Sequence, residues 1–214
     1  SDAVKADTKK ITRTERHDGD EKKLIWTNLA DVEAKPVEWL WKDRIALGKL
    51  CLLAGNPGQG KSLITSYMAS VVSRGGNWPV EDKASPMGSV IFLSAEDDDA
   101  DTLKPRLLAH GADIEMITTV NSVVERQMSM SFSLEKDVDL LEKRVKEMGD
   151  VAMIIIDPIT AYLGNVDSNS NSGVRGLLEP LRMLASEQNL AILLVAHLNK
   201  AHGTDAMMRV SGST

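Results

Sequence analysis

Five apolar runs, at residues 49–54, 89–94, 117–120, 151–156 and 190–196, alternate with stretches whose apolar residues recur at helical spacing, and no other feature of the chain restricts its fold more. VAMIII at 151–156 and LAILLVA at 190–196 contain no polar position at all. A strand with one wet face alternates polar and apolar residues, whereas a strand without that alternation has to be covered on both faces. Strand and helix in regular succession therefore predict an α/β fold: a mainly parallel, twisted sheet with helices on both faces. Such sheets bind ligands in the crevice beyond the carboxyl ends of their strands. The residues that follow each run are the ones to read for chemistry.

Residues 49–54 read as a buried strand, and the lone cysteine within it, Cys51, as a buried structural thiol without a disulfide partner. A helix is expected over 61–74, with Leu63, Ile64, Tyr67, Met68, Val71 and Val72 on its apolar face. A second is expected over 98–110, which Pro105 must start, kink or divide. Further helices are expected over 134–148, stopped by Gly149, and over 174–188, after a polar loop at 164–173. Residues 1–23 have almost no large apolar side chains and read as a flexible polar arm, leaving 24–214 as the folded core. A net charge of -6, from 25 Lys+Arg against 31 Asp+Glu, argues against a basic coat over the whole surface. No apolar stretch approaches the roughly 20 residues that cross a bilayer, and no charged-then-apolar leader opens the chain. The expectation is a cytoplasmic protein with no membrane partner.

The stretch AGNPGQGKS, residues 54–62, lies between the first expected strand and the first expected helix. It fits the spacing G-x-x-x-x-G-K-[ST] at Gly55, Gly60, Lys61 and Ser62. Glycines let the backbone of Gly55, Asn56, Pro57, Gly58, Gln59 and Gly60 approach a ligand closely. The ring of N–H groups, together with the positive end of the following helix, suits phosphate oxygens. Lys61 would then reach the β- and γ-phosphates, and the Ser62 hydroxyl would hold Mg²⁺.

Three strand ends extend this reading. MIIID at 153–157 places Asp157 at the tip of an apolar strand, where it would orient a magnesium-bound water. Strand 89–94 runs into AEDDDAD, and Glu96, nearest the strand, is the candidate to orient and deprotonate an attacking water. Asp97, Asp98, Asp99 and Asp101 read as a solvated first helical turn, which suits the helix dipole. His197 closes strand 190–196; on residue type and position it suits a γ-phosphate contact and a satisfied core histidine equally. The other histidines, His17, His110 and His202, are scattered, so metal ligation by histidine is not expected.

Taken together, EWLWKDRIALGKL, AGNPGQGKS, GSVIFLSAEDD with TLKPRL, IIIDPI, AHLNK and the closing RVSGS resemble one group, the RecA-like AAA ATPase core of the RepA-type replicative helicases and their phage and plasmid relatives. The resemblance covers about residues 36–214. It implies ATP as ligand, Gly58, Gly60, Lys61 and Ser62 as holders of phosphate and Mg²⁺, Glu96 as catalytic carboxylate, and Asp157 as the metal-side aspartate. It makes His197 a γ-phosphate sensor and Arg209 an arginine that inserts into the neighbouring subunit's site. A ring, hexameric in such proteins, and single-stranded DNA as partner follow from the same resemblance. Cores of this group continue with further strands after the RVSGS segment, so a sheet truncated at its C-terminal edge is expected, and the opening Ser1 suggests an excised domain. The segment HLNKAHGTD, 197–205, is the candidate to line a DNA channel. Two other readings compete with a motor core: a small-molecule kinase, for which the chain shows no arginine-rich lid, and a nucleotide-dependent switch that recruits a partner without unwinding DNA.

Overall fold

The computed structural model describes residues 24, 26–80, 83–166 and 171–198. The arm expected at 1–23 and most of the DNA-channel candidate, from residue 199 on, lie outside the described residues, as does Arg209. The chain divides into two compact units, Ser1–Pro36 and Val37–Thr214. In the first, Leu29–Asp31 form one 3₁₀ turn, capped by the Asn28 side chain accepting from the Ala30 amide at 3.0 Å.

The second unit opens with a small antiparallel pair, β1 (Trp39–Trp41) and β2 (Ile45–Ala46). The main elements then follow in the order β3 (Leu50–Gly55), α1 (Lys61–Ser73), β4 (Ser89–Ser94), a single π turn at Asp99–Leu103 continuing into α2 (Lys104–Ala109), and β5 (Ile117–Thr119). A short hairpin of β6 (Val123–Glu125) and β7 (Met128–Met130) leads to α3 (Val138–Met148), β8 (Val151–Asp157), α4 (Asn171–Gln188) and β9 (Ala191–His197). β3, β9, β8, β4 and β5 form, in that spatial order, a five-stranded sheet whose pairings are all parallel. The α/β fold with a parallel sheet is therefore the one the alternation demanded.

Period-two alternation divides each central strand between two cores. Ile91, Leu93, Ile154, Ile156, Ile192 and Leu194 face α3 and α4, meeting Leu141, Val145, Leu181 and Leu184. Val90, Phe92, Met153, Ile155, Ala191 and Leu193 face the opposite way and meet Met68, Ala69, Val71 and Val72 of α1, with Leu103 and Leu107 beyond. The β1–β2 pair seals the end of this second core: Trp41 stacks on Trp78 with ring centroids 4.6 Å apart and an interplanar angle of 2°, and the Trp78 indole N–H donates to Leu40 O at 2.7 Å.

Several expectations change. β3 is not a fully buried strand: it is at the edge of the sheet, its pattern is mostly half-buried, and Leu52 is 52% exposed. Cys51 is accordingly half-buried. An apolar run reports that a strand packs somewhere, but not whether it has neighbours on both sides. On α1, Leu63 and Ile64 are exposed, and the buried face carries Thr65, Ser66, Ser70 and Ser73 as well as the apolar residues. These four hydroxyls donate to carbonyls three or four residues back, at 2.7–3.2 Å, so they enter the core without an unmet bond.

Pro105 divides its region into π turn and α-helix, and falls in the first turn of α2, where its missing N–H costs nothing. α3 starts at Val138 rather than Leu134, because the Asp137 carboxylate turns back to accept from the Ser133 amide at 2.8 Å. α4 begins at Asn171, earlier than expected, so the end of the polar loop is helical.

Truncating Ile155, which is fully buried, to alanine should cost about 2–5 kcal/mol, whereas Leu52→Ala should cost under about 1 kcal/mol. Chemical denaturation of both variants checks this, and equal losses would contradict the edge position of β3.

Candidate functional site

Parallel pairing brings the carboxyl ends of the strands to one side, and the register sets their level. Gly55 of β3 pairs with His197 of β9, and Ser94 of β4 pairs with Asp157 of β8. The pairing runs on into the following loops: Leu198 N donates to Gly55 O at 3.2 Å and Ala95 N to Asp157 O at 3.1 Å. β9 lies between β3 and β8, so the histidine stands between the glycine loop and the aspartate.

The loop's shape depends on glycine at two places. Gly58 and Gly60 have φ of 76° and 77°, in the left-handed region that side chains with a Cβ avoid. At Gly55 the need is space: an added Cβ would lie 2.8 Å from the Gln59 side-chain oxygen, which accepts from the Asn56 amide at 2.7 Å and ties the loop across itself. Gly60 is also the N-cap of α1, so the helix begins at Lys61 with its amides directed to the loop.

Lys61 is 6% exposed, and a buried ammonium has to find acceptors. Its Nζ donates to Gly55 O and Asn56 O, both at 2.9 Å, and lies 3.2 Å from His197 Nδ1. These three partners match the three N–H donors of an ammonium. Because Lys61 has no acceptor to offer, His197 Nδ1 must accept, which puts the ring proton of neutral His197 on Nε2. Nε2 faces Glu96 Oε1 at 3.6 Å. The histidine thus bonds the loop lysine and stands next to the carboxylate that follows β4.

Asp157 is 7% exposed. Burial pushes its carboxyl above the usual carboxylate range; a hydrogen bond from Ser62 pulls the other way, Glu96 and Asp97 reinforce the rise, and His197 opposes it. A desolvated carboxylate with a serine hydroxyl near it, both offering oxygens at a phosphate-shaped loop, suits a hard divalent cation such as Mg²⁺, which takes one or two carboxylates and completes its shell with phosphates and water. Among the described residues there is no group of three or more His, Cys, Asp or Glu that would form an all-protein metal cage. A cleft of about 260 Å³ opens over these groups, lined by Gly58, Gly60, Lys61, Ser62, Leu63, Glu96, Arg106 and His197.

The structure brings together the residues read from the sequence at Gly55 to Ser62, Glu96, Asp157 and His197; Arg209 lies outside the described residues. His197 reaches both Lys61 and Glu96 and is half-buried, not a core histidine. In the acidic run Asp98 and Asp101 are exposed, as a solvated first turn requires, but Asp97 and Asp99 are half-buried. Asp97 pairs with Arg106 at 2.5 Å, with side-chain exposures of 18% and 34%. Asp98 caps the π turn by accepting from the Ala100 and Asp101 amides, and Asp99 accepts from Thr119 and Asn121. Asp97 and Asp99 are drawn to side-chain donors outside the run, whereas Asp98 caps the turn from within it. Arg106 is the cleft residue that the sequence reading passed over; it sits inside the TLKPRL segment, already singled out, nine positions from its partner.

A family model described as AAA domain matches residues 15–203 of the chain. No curated protein matches it. Among the described residues no helix is long and apolar enough to cross a membrane.

A raised folded-state pKa means that the ionised Asp157 opposes folding. That penalty is absent below the unfolded carboxylate pKa and grows as pH rises from there through the folded value. With chelator present and no nucleotide, Asp157→Asn should therefore raise the melting temperature at pH 7 by a few degrees, and the gain should vanish as pH falls to about 4. Thermal melts at the two pH values check the sign.

Proposed function

The chain belongs to the AAA domain family, which makes it a nucleotide-binding P-loop ATPase core, and on that premise we propose that it is the motor core of a RepA-type hexameric replicative DNA helicase, cytoplasmic and driven by Mg²⁺-dependent hydrolysis of ATP. The observation that carries the hydrolytic reading is the continuous line Lys61, His197, Glu96 at the strand ends, with Asp157 and Ser62 beside it.

The three donors of Lys61 rest on two main-chain carbonyls and the histidine. Phosphate oxygens of ATP replace some of these acceptors, and the loop amides and the start of α1 bind the remaining charge. Ser62 and Asp157 would hold Mg²⁺, whose charge would offset that of the polyphosphate. Glu96 orients a water and accepts its proton as the water oxygen bonds to the γ-phosphorus. The bond from that phosphorus to the bridging oxygen breaks, and the electron pair leaves on ADP. His197, between Lys61 and Glu96, senses the γ-phosphate: loss of phosphate returns Lys61 to the histidine and carries the change along β9 to the segment beyond Leu198. Arg209 is proposed as the arginine supplied to the neighbouring subunit's site in a ring, where such a group is worth about 10³–10⁵ in rate.

Glu96→Gln should reduce ATP hydrolysis by about 10²–10⁴ while leaving MgATP binding intact, and Lys61→Ala should lose tight MgATP binding. Single-turnover assays and calorimetry separate the two effects; a wild type with negligible turnover, unchanged by Glu96→Gln, would favour a nucleotide switch. Single-stranded DNA should raise the steady-state ATPase rate of the assembled protein. A rate indifferent to DNA would remove the helicase reading and leave the ATPase.

A further inference from the structure

Arg106 lines the same cleft as the loop residues Gly58, Gly60, Lys61 and Ser62, on the side formed by α2. Its position has structural causes. Pro105 sits in the first turn of α2, the buried Leu103 and Leu107 on either side of it anchor that segment in the core, and Arg106 lines the cleft. Asp97 holds the guanidinium through Nη1 at 2.5 Å. A guanidinium carries five N–H donors in a planar fork, so this bond leaves it capable of binding a second anion at once.

Charge points the same way. Glu96, Asp97 and Asp157 are gathered in this region, and the charges of Glu96 and Asp97 both oppose ionisation of Asp157. A polyanionic phosphate chain entering there meets these carboxylates, and Lys61 is a single cation on the glycine-loop side of the cleft. Resting on the nucleotide-binding reading given above, we propose that Arg106 is a second phosphate-contacting cation supplied by the same chain, which binds the polyphosphate from the side opposite the glycine loop while Asp97 holds it in place. Arg106 thereby gives the site a grip on polyphosphate before any arginine from a neighbour arrives, and it gives the TLKPRL segment a chemical role.

The test uses calorimetry with MgATP and with magnesium tripolyphosphate, which carries the phosphate chain without base or sugar, on wild type, Arg106→Ala, Arg106→Lys, Asp97→Asn and a double variant, each first checked for an unchanged thermal melt. Arg106→Ala should weaken both ligands by about 10- to 100-fold. Arg106→Lys keeps the charge but loses the fork, and should lie between Arg106→Ala and wild type. Asp97→Asn, which breaks the same ion pair but keeps the guanidinium, should bind tripolyphosphate at least as well as wild type. If Arg106 serves only to neutralise Asp97, the double variant Arg106→Ala/Asp97→Asn, which lacks both charges, should bind tripolyphosphate as wild type does, and that result overturns the proposal; a phosphate-contacting Arg106 leaves the double variant weakened. Tripolyphosphate affinity unchanged in Arg106→Ala overturns it too, even if MgATP weakens. A wild type that binds neither ligand would instead sink the nucleotide-binding reading itself.

Discussion

A parallel sheet covered on both faces leaves its polar chemistry only one place to go, the ends of its strands. Met153, Ile154, Ile155 and Ile156 are wholly buried, so β8 cannot present a functional group anywhere along its length until it reaches Asp157. β4 and β9 obey the same restriction and end at Ser94 and His197. Because all pairings in the sheet are parallel and the strand ends share register, the groups that follow them arrive at one level. The cleft is a consequence of that geometry more than of any single contact.

The same geometry sets up an electrostatic tension. Lys61 and Asp157 are both nearly buried, and each is a charge that water would solvate better. Lys61 meets the cost with three acceptors, two of them main-chain carbonyls that no substitution can remove. Asp157 has the Ser62 hydroxyl and a nearby histidine, set against two neighbouring carboxylates. An incoming cation would relieve the second group and an incoming polyanion would engage the first, so the site is arranged to be more comfortable filled than empty. This is the usual trade of stability for function at a binding site.

What the sequence made legible follows from where its constraints act. The glycine loop was readable because Gly60, at a fixed place in the motif spacing, answers a backbone requirement; Gly58 answers the same requirement at one of the open positions. Asp157, Glu96 and His197 were readable because strand ends in a parallel sheet are functional positions whatever the details of packing. The edge position of β3 was not, since Leu52 looks the same in a central strand as in an outer one. Nor was the buried face of α1, where Thr65, Ser66, Ser70 and Ser73 occupy places that a search for apolar period assigns elsewhere. The pairing of Asp97 with Arg106 spans a π turn, a local geometry that neither helical nor strand spacing anticipates. The small hairpins β1–β2 and β6–β7 are too short for periodicity to register.

The stacked indoles of Trp41 and Trp78 carry a consequence for how the molecule can be watched. Of the chain's four tryptophans, the three in the second unit, Trp39, Trp41 and Trp78, are not among the residues that line the cleft. Two of the four form a near-coplanar pair, with the Arg44 guanidinium 5.0 Å from the Trp41 ring centre, which makes them an exciton-coupled chromophore seated on the α1 face of the sheet. Their emission and near-ultraviolet dichroism are silent about direct contact with a ligand. A spectral change on adding nucleotide would therefore measure motion relayed through α1 to the far end of the core, an intrinsic optical gauge of mechanical transmission.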